Sequence, residues 1–332
     1  MLEIKDLHVQ FHTSDHEAVR GIDLTVQDGE IMGLVGESGS GKTVTAMMVS
    51  GLLRPEQADF RGRILLDGED LLHAGGQRIR AIQGKDICVV FQEPMSAMDP
   101  TMRIGKQVEE CLRVHTDLSA QERRQRALQA LRDVELPDPE GVYRKYPHEL
   151  SGGMLQRVMI AAAIVARPRL LLADEPTTAL DVTIQAQIMD LLAKLKEEVG
   201  CSIVLITHDL GVVAANADRI AVMYAGQVVE SGTADQIFYH CAHPYTRGLL
   251  ESIPRLNAAH DARLTYIGGT PPDALNPAPG CAFSARCKYA MCICRQQAPE
   301  KREVQPGHFC SCFLMDDEAE DTRKKTGWEV SL

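Results

Sequence analysis

The hydrophobic positions in the first third of the chain predict strands followed by a helix. Apolar and polar residues alternate over 2–11 and 22–26, as in half-buried strands, and residues 31–35 form an apolar run that enters a glycine-rich turn. The stretch TVTAMMVSGLL after Lys42 predicts a helix, and residues 62–72 predict a hairpin that turns at Asp67–Gly68. This order is typical of a mixed α/β core.

The middle of the chain changes to a helical pattern. The sequence Ser119-x-x-Glu122 is a capping box, which marks the start of a helix. Four apolar residues that follow it share one side of that helix: Ala127, Leu128, Leu131 and Val134. We therefore expect an inserted helical subdomain at about residues 95–165.

Strands and helices then alternate along the chain. The predicted elements are a helix from Gly152 that ends before Pro168, an apolar strand at 170–173, a helix that ends at Gly200, and a strand at 203–206 that leads into Thr207–His208. Such alternation predicts a parallel sheet with helices on both faces.

Proline and glycine residues cluster at 268–280 and indicate a change of domain. We place the boundary near residue 260, so that 1–260 form the first domain and 261–314 a cysteine-bearing extension. The remaining residues, 315–332, include DDEAED and are expected to form a flexible acidic tail, because too few apolar side chains are present to pack.

The composition narrows the class of protein. With 332 residues, 45% hydrophobic and 24% charged, the chain can bury a large core. Its 35 basic and 46 acidic residues give a net charge of −11, which argues against nucleic acid as a partner. The longest apolar run, 158–166, is shorter than the roughly 20 residues that cross a bilayer, and the first residues lack a basic, then apolar, leader. We expect a soluble, cytosolic chain.

A phosphate-binding loop follows the strand at 31–35. Residues 36–43, GESGSGKT, match the full pattern G-x-x-x-x-G-K-[ST]. Backbone N–H groups would surround phosphate oxygens, Lys42 would place a cation on the β and γ phosphates, and Thr43 would offer a hydroxyl to Mg²⁺. The alternative is a glycine-rich turn with a chance lysine, but the strand, loop and helix order favours ATP binding. The predicted ATP-binding residues here are Gly36, Ser38, Gly39, Ser40, Gly41, Lys42, Thr43 and Val44.

Two carboxylates, Asp174 and Glu175, end the apolar strand at 170–173. At the end of a strand that faces the P-loop, Asp174 would hold Mg²⁺ directly or through water. Glu175, one residue further, would orient and deprotonate the attacking water. Alone, the pair could be a polar strand end before Pro176. Together with the P-loop, it predicts ATP hydrolysis with Glu175 as the base.

The residues between these motifs resemble the signature of ATP-binding cassette (ABC) ATPases. Residues 150–157, LSGGMLQR, are similar to the LSGGQ-type signature, with Met154–Leu155 ahead of the glutamine. Ser151 is a good N-cap, and two glycines leave the helix N–H groups open to an anion, although an ordinary capped helix would look the same. The resemblance implies a set that acts on the ATP of another subunit: Ser151, Gly152, Gly153 and Gln156.

Four further positions carry the same resemblance. Gln92 is similar to the Q-loop glutamine that touches Mg²⁺ and water, His208 to the switch histidine at the γ-phosphate, and residues 179–181 (Ala-Leu-Asp) to the D-loop, with Asp181. Phe11 resembles the aromatic that stacks on adenine, where Tyr is common, and a core strand residue is the alternative. The resemblance thus implies a catalytic set of Glu175, His208 and Gln92, and a Mg²⁺ site of Thr43, Gln92 and Asp174.

The resemblance also implies a fold and partners. The fold would be an α/β ABC-type nucleotide-binding domain: a P-loop parallel-sheet core with an N-terminal antiparallel β subdomain and an inserted helical subdomain, plus the cysteine-rich C-terminal extension. Because such ATPases enclose ATP between the P-loop of one subunit and the signature of another, we expect a second ABC ATPase subunit, as a distinct paralogous chain. Two transmembrane permease subunits would receive the motion through residues 92–101 and hold the chain at the cytoplasmic face of the membrane. An extracytoplasmic solute-binding protein would supply the solute.

The C-terminal third resembles the ATPase subunits of bacterial dipeptide and oligopeptide importers. The similar segments are HPYTRGLLESIP at 243–254, GCAFSARC at 280–287 and PGHF at 306–309. The family holds a [4Fe–4S] cluster on four cysteines, and the matching positions are Cys281, Cys287, Cys294 and Cys312. Cys292 and Cys310 have no counterpart in the family pattern, so an exchange of ligands stays open.

Without the resemblance, the cysteines leave alternatives open. Six of the ten lie within 281–312, where four thiolates would suit an iron–sulfur cluster or tetrahedral zinc, and free or oxidised thiols are the third alternative. No Cys-x-x-Cys pair is present, which disfavours zinc. We expect a structural role, at a distance from the P-loop, with little effect on ATP affinity.

Three functions remain. The first is an ATPase that powers the import of di- and oligopeptides. The second is the ATPase of a related importer for nickel or another solute, because the solute is chosen by other subunits. The third, a soluble non-transport ABC ATPase of DNA repair or translation, is disfavoured because the chain is acidic and has neither two cassettes nor a long coiled coil.

Overall fold

The computed structural model describes residues 1–178, 180–253, 266–270 and 279–328. These residues form a smaller antiparallel sheet, a larger mixed sheet, and a group of helices inserted between two strands of the larger sheet. Over these ranges, no helix has both the length and the apolar character that a membrane span requires.

The strands in chain order are β1 (Leu2–Phe11), β2 (Glu17–Val26), β3 (Ile31–Val35), β4 (Ala58–Leu66), β5 (Glu69–Asp70), β6 (Ile87–Val90), β7 (Leu170–Asp174), β8 (Ser202–Thr207), β9 (Arg219–Tyr224), β10 (Gln227–Thr233), β11 (Arg302–Gln305) and β12 (His308–Cys310). The smaller sheet has the order β2-β1-β4-β5 and is antiparallel. Its predicted hairpin is confirmed: β4 and β5 are joined at Asp67 and Gly68, which have φ angles of 51° and 84°.

The larger sheet carries the parallel core. Its order is β11-β12-β10-β9-β3-β8-β7-β6, and the five strands from β9 to β6 are parallel, as predicted. Every residue of β3 and β8 is buried, because both faces of the sheet are covered. Val35 pairs with Thr207, and Asp174 pairs with Ile206. The loops that follow β3, β7 and β8 therefore meet at one edge of the sheet, where ligands bind in open α/β sheets.

The larger sheet continues beyond the expected domain boundary. β12 pairs antiparallel with β10, where Cys310 lies opposite Glu230, and β11 pairs with β12. The boundary itself, near residue 260, lies outside the described residues. The segment 279–328 is thus attached to the sheet of the first domain through backbone hydrogen bonds.

The helices are α1 (Lys42–Val49), α2 (Gly76–Ile82), α3 (Pro94–Ala97), α4 (Ile104–Val108), α5 (Glu110–His115), α6 (Ala120–Asp133), α7 (Pro139–Arg144), α8 (Gly152–Ile164), α9 (Val182–Leu195), α10 (Leu210–Asn216), α11 (Ala234–Tyr239), α12 (Pro244–Glu251) and α13 (Glu320–Thr326). A π-helical turn, Lys196–Gly200, extends α9.

Helices α3 to α8 form the helical region that the sequence predicted between β6 and β7. The capping box at the start of α6 is present: the Glu122 N–H donates to Ser119 Oγ (3.3 Å), and the Ser119 N–H donates to Glu122 Oε2 (2.8 Å). The four apolar residues assigned to one side of α6 are all buried: Ala127, Leu128, Leu131 and Val134. Ala127, Leu131 and Val134 join the core that also contains one face of the larger sheet.

The described part of the tail, up to residue 328, packs against the extension, whereas the sequence predicted a flexible tail at 315–332. Helix α13 is followed by Trp328, which is only 3% exposed. The Trp328 ring makes an edge contact with Tyr289 (4.7 Å between centroids), and the Arg247 guanidinium lies 3.7 Å from the Trp328 ring centroid. A single large aromatic residue supplies the apolar area that the acidic segment lacks. Residues 329–332 are outside the described part of the chain.

Candidate nucleotide site

The P-loop requires glycine at two of its positions. Gly36 has a φ of 153°, and a Cβ there would lie 2.2 Å from the Met223 carbonyl oxygen. Gly41 has a φ of 100°, and a Cβ there would lie 2.9 Å from the Ala18 carbonyl oxygen. The loop therefore passes so close to neighbouring backbone that only glycine fits at these two positions. Loops of this kind surround phosphate oxygens with backbone N–H groups.

Lys42 is held inside this loop. Its Nζ donates to the carbonyl oxygens of Gly36 (2.8 Å) and Glu37 (2.9 Å), and the residue is 6% exposed. Burial lowers the pKa of Lys42, and the carboxylates of Glu175, Asp174 and Glu37 counteract this effect. The ammonium group is thus placed within the loop, where the β and γ phosphates of ATP would bind.

Thr43 and Asp174, which the sequence assigns to one Mg²⁺ site, lie side by side. Thr43 Oγ1 donates to Asp174 Oδ1 (3.4 Å), although 131 residues separate them in the chain. Burial raises the pKa of Asp174, and the hydrogen bond from Thr43 partly offsets this. A hydroxyl and a carboxylate are the hard oxygen ligands that Mg²⁺ prefers, so these residues fit the expected ion.

Glu175 has a φ of 47°, an uncommon value for a residue other than glycine. Its N–H donates to the Ile206 carbonyl (2.8 Å), which fixes this conformation beside β8. Three side chains contact its carboxylate: Gln92 Nε2 (2.9 Å), Thr178 Oγ1 (2.8 Å) and His208 Nδ1 (3.1 Å). The three residues predicted to be catalytic, Glu175, Gln92 and His208, therefore form one cluster.

The same contacts keep Glu175 ionised. Burial would raise the pKa of Glu175, but the hydrogen bonds from Thr178 and His208 and the nearby charge of Lys42 lower it on balance. A carboxylate base must be deprotonated before it can accept a proton from water. Thr178 was not predicted from the sequence, because a threonine after Asp-Glu-Pro carries no separate signal.

A cavity of about 1040 Å³ opens over the P-loop and this cluster. Among its lining residues are eleven predicted ones: Gly36, Ser38, Gly39, Ser40, Gly41, Lys42, Thr43, Val44, Gln92, Glu175 and His208. Its other walls were not predicted. They come from the β2 residues Glu17, Ala18 and Arg20, from Tyr224 and Ala225 at the end of β9, and from the C-terminal residues Leu249, Thr270, Ala282, Ala285 and Arg286.

The residues predicted for adenine stacking, for the signature and for the D-loop do not line this cavity. Phe11 does not line it and packs, partly buried, against the core of the smaller sheet. Ser151 is the N-cap of α8, and Gly152 is exposed beside it. Gln156 differs from the expectation for the signature, because it is only 2% exposed, inside the helical region, and does not face outward. Asp181 is the N-cap of α9 (Ile184 N to Asp181 Oδ1, 3.0 Å), while Ala179 lies outside the described residues.

The expectation that the cysteine-bearing segment is distant from the P-loop is wrong. Arg286 forms an ion pair with Glu37 of the P-loop, with 2.6 Å between Nη1 and Oε2. A carboxylate inside a loop that binds anions is the signal that could have revealed this contact, because it calls for a cationic partner. The sequence does not say which of its arginines supplies that partner.

A second, much smaller cavity lies among the cysteines of the extension. Of the six cysteines in 281–312, the four that line it are the four predicted ligands, Cys281, Cys287, Cys294 and Cys312, whereas Cys292 is exposed. Burial raises the pKa of the Cys281, Cys287 and Cys312 thiols. The cavity, about 10 Å³, has room for about one water. In the described parts of the chain, no group of three or more His, Cys, Asp or Glu residues is placed to hold a single metal ion.

Comparison with known proteins agrees with this site. Residues 19–178 match the family described as ABC transporter, and residues 229–294 match the oligopeptide/dipeptide transporter C-terminal region. A solved ATP-binding cassette dimer in a post-hydrolysis state, bound to ADP and Pi, is 31% identical with a TM-score of 0.64 and covers 70% of this chain and 99% of that chain.

Two curated relatives are similar over nearly the full length. The oligopeptide transport ATP-binding protein OppD of Bacillus subtilis is 48% identical over 322 residues, which are 96% of this chain and 90% of the relative. The dipeptide transport ATP-binding protein DppD of Lactococcus lactis is also 48% identical, over 96% of this chain and 92% of the relative. With the P-loop, the Asp174–Glu175 pair and the C-terminal region all matched, this chain belongs to the oligopeptide and dipeptide transport ATP-binding proteins of the ABC ATPase family.

Proposed function

We propose that this chain binds and hydrolyses ATP to power the import of di- and oligopeptides through a membrane transporter. The observation that carries the proposal is the position of Glu175 beside the P-loop, with Gln92, Thr178 and His208 on its carboxylate. The match of the C-terminal region to peptide transporters supports the solute class.

The chain's own residues account for the steps of hydrolysis. The P-loop N–H groups and Lys42 bind the phosphates. Thr43, Asp174 and Gln92 would be the ligands of Mg²⁺, which neutralises phosphate charge when bound. Glu175 accepts the proton of the attacking water, and Gln92 and His208 orient its carboxylate. Phe11 is proposed to stack on adenine once the nucleotide is bound, although it does not line the cavity here.

The partner surfaces are assigned from exposure. Ser151 and Gly152 face outward at the start of α8, where they can reach the ATP of a second, paralogous ATPase subunit. Phe91 and Met95, on either side of Gln92 in the chain, are 43% and 55% exposed. We assign this apolar surface to the two permease subunits, which place the chain at the cytoplasmic face of the membrane. Motion of Gln92 on hydrolysis would then pass directly to the permeases.

The solute can be tested with the intact transporter. The complex that copurifies with this chain would be reconstituted in vesicles with its solute-binding protein, and ATP hydrolysis measured with dipeptides, oligopeptides, a glycoside and Ni²⁺. We expect stimulation by peptides. Stimulation by Ni²⁺ or the glycoside alone would establish the related importer in its place, and hydrolysis without any permease in the complex would favour a soluble ABC ATPase.

We also propose that Cys281, Cys287, Cys294 and Cys312 hold a [4Fe–4S] cluster. The chemistry of the donor set supports this, because four thiols line one small cavity. The His243 imidazole also lines it, but its Nδ1 already accepts a hydrogen bond from the Tyr245 N–H. A cluster binds each cysteine at a different iron, so the four sulfurs need not converge on a single point, as zinc would demand. The cavity must widen to admit the cluster, since it now holds about one water.

Metal content separates the alternatives for the cysteines. Protein purified without oxygen should be brown and contain iron, because thiolate-bound clusters absorb visible light whereas zinc is colourless. Serine at any of the four proposed positions should remove the colour, and serine at Cys292 should not. Cys310 lies in β12, opposite Glu230 of β10. Serine at Cys310 is also expected to leave the colour unchanged. Colourless protein with equimolar zinc would reject the cluster.

A further inference from the structure

The P-loop residue Glu37 is bound by the C-terminal part of the chain. Arg286 reaches both carboxylate oxygens of Glu37, with Nη1 to Oε2 at 2.6 Å and Nη2 to Oε1 at 3.0 Å. The Arg286 side chain is 5% exposed and that of Glu37 is 28% exposed. Such a two-point contact between guanidinium and carboxylate is among the strongest and most directional ion pairs in proteins.

Arg286 has no hydrogen-bond donor left for a nucleotide. Besides its two bonds to Glu37, it donates to the Tyr224 hydroxyl (3.4 Å), the Ile267 carbonyl (3.2 Å) and the Gly268 carbonyl (3.1 Å). A guanidinium has five N–H donors, and these contacts use all five. Arg286 lines the nucleotide cavity, but all its N–H donors are already bonded to protein atoms. A direct hydrogen bond to phosphate would therefore require one of these bonds to break.

The backbone of Glu37 is fixed from the same side. Its N–H donates to the hydroxyl of Tyr245 (2.9 Å), a fully buried residue. The Tyr245 ring packs against Tyr224 (4.5 Å between centroids) and against Phe283 of the extension (5.4 Å). The carbonyl of Glu37 in turn accepts from Lys42 Nζ (2.9 Å). A displacement of Glu37 would therefore displace a carbonyl that positions the phosphate-binding lysine.

The charge of Glu37 makes its partner necessary. A carboxylate in the phosphate-binding loop repels an incoming nucleoside triphosphate, since like charges a few ångströms apart repel even in water. In the ion pair, the guanidinium neutralises that carboxylate and directs its oxygens toward the extension. Without Arg286, the charge of Glu37 would be free to turn toward the phosphates.

We propose that Arg286 is a positioning residue for the ATP site, which acts through Glu37 to hold the P-loop in its binding conformation and to neutralise its one acidic side chain. The segment that carries the cysteines thereby sets the affinity of the P-loop for nucleoside triphosphates. The inference rests on ATP binding at the P-loop and is independent of the transported solute and of the cluster.

A double-mutant cycle on the full chain tests this. The dissociation constant of a fluorescent Mg-ATP analogue would be measured for wild type, Arg286→Gln, Glu37→Gln and the double variant. We expect Arg286→Gln to weaken binding by about 10- to 50-fold, a size usual for coupling between sites. Glu37→Gln should weaken binding less, because this substitution removes both the ion pair with Arg286 and the carboxylate charge that repels ATP. The double variant should bind like Glu37→Gln, so that the second substitution partly rescues the first.

Three controls keep the outcome specific. Arg302→Gln removes another ion pair of the same segment (Arg302 Nε to Asp316 Oδ1, 3.0 Å) without touching the P-loop, and it should leave affinity unchanged. Arg286→Lys retains the charge but not the two-point contact, and it should bind between wild type and Arg286→Gln. The melting temperature of each variant would show whether a loss of affinity results from a loss of folding stability.

Several results would overturn the proposal. If the double variant is as weak as Arg286→Gln while Glu37→Gln binds normally, Arg286 contacts the nucleotide directly. If affinity falls only in step with melting temperature, and Arg302→Gln behaves in the same way, the contact is merely structural. Wild-type affinity in Arg286→Gln would remove any role for Arg286. Failure of wild type itself to bind the analogue would instead contradict the ATP site.

Discussion

At the scale of single residues, the side chains of the site are held by hydrogen bonds to one another and to nearby backbone groups. Glu175 is reached by Gln92, Thr178 and His208, and its backbone N–H is bound to β8. The Lys42 ammonium group donates hydrogen bonds to two carbonyls of the P-loop. Because each group is oriented by others before ATP arrives, little reorganisation remains to be made during hydrolysis.

Glu175→Gln should leave ATP binding intact and lower steady-state hydrolysis by about 10² to 10⁴-fold. The amide has the size of the carboxylate and can still accept from Thr178, but it cannot accept the proton of water. Phosphate release by the transporter complex measures this loss. Glu110→Gln, which replaces an exposed glutamate paired with Arg113, is the matched control and should be fully active. Turnover near the wild-type rate would show that Glu175 is not the main base.

Lys42→Ala should act on binding itself. Removal of the ammonium group loses charge-assisted bonds to the phosphates, which we expect to weaken the affinity for Mg-ATP by about 10- to 100-fold. Titration of the purified chain with a fluorescent ATP analogue measures the affinity. Lys5→Ala, at an exposed lysine paired with Glu3, should bind as wild type does. An unchanged affinity in Lys42→Ala would remove the lysine from the phosphate site.

At the scale of elements, the extension depends on a few anchors that join it to the first domain. Strand β12 adds to β10, and at this junction His308 Nε2 lies 2.8 Å from Glu230 Oε1, with both side chains fully buried. Trp328 closes the other end against Tyr289 and Arg247. These anchors explain why a segment with an acidic stretch still packs: a buried pair and one large ring supply contacts where aliphatic residues are scarce.

Trp328→Ala should loosen the extension more than the first domain. Loss of a buried tryptophan costs about 3–5 kcal/mol of folding free energy, and the cost falls on the elements that it touches. Hydrogen exchange of the backbone should therefore rise over 279–328 and stay low in β3 and β8. Tyr239→Ala, at an aromatic residue that is 73% exposed, is the control. Equal exchange in Trp328→Ala and wild type would mean that Trp328 does not anchor this segment.

At the scale of the whole molecule, the surface at the start of α8 and the ATP cavity belong to different sites. The cavity is lined by the P-loop, the Glu175 cluster and the C-terminal segment, but not by the signature residues Ser151, Gly152 and Gly153. Under the pairing proposed above, the start of α8 in a second subunit would complete this site. Hydrolysis would then be a property of the assembled pair.

Gly152→Asp should separate binding from hydrolysis. A Cβ at Gly152 meets nothing within 4 Å, and a carboxylate suits the start of a helix, so the isolated chain should fold and bind ATP normally. In the complex, the new charge would face the phosphates held by the partner, and hydrolysis should fall at least about tenfold. Gly75→Asp, at the equally open N-cap of α2, should be active. Full hydrolysis by Gly152→Asp would contradict the role of α8 in a partner's site.

The sequence by itself determined the features that depend on neighbouring residues. The P-loop, the Asp67–Gly68 hairpin, the capping box of α6 and the order of strands and helices follow from local hydrogen bonding and from apolar periodicity, which are written in short windows. Only the tertiary structure decided that Gln156 is buried and that Trp328 anchors the tail. It also brought Arg286 to Glu37 across 249 residues. No periodicity encodes such contacts, because they depend on how finished elements pack and on which of many equivalent charges the packing brings together.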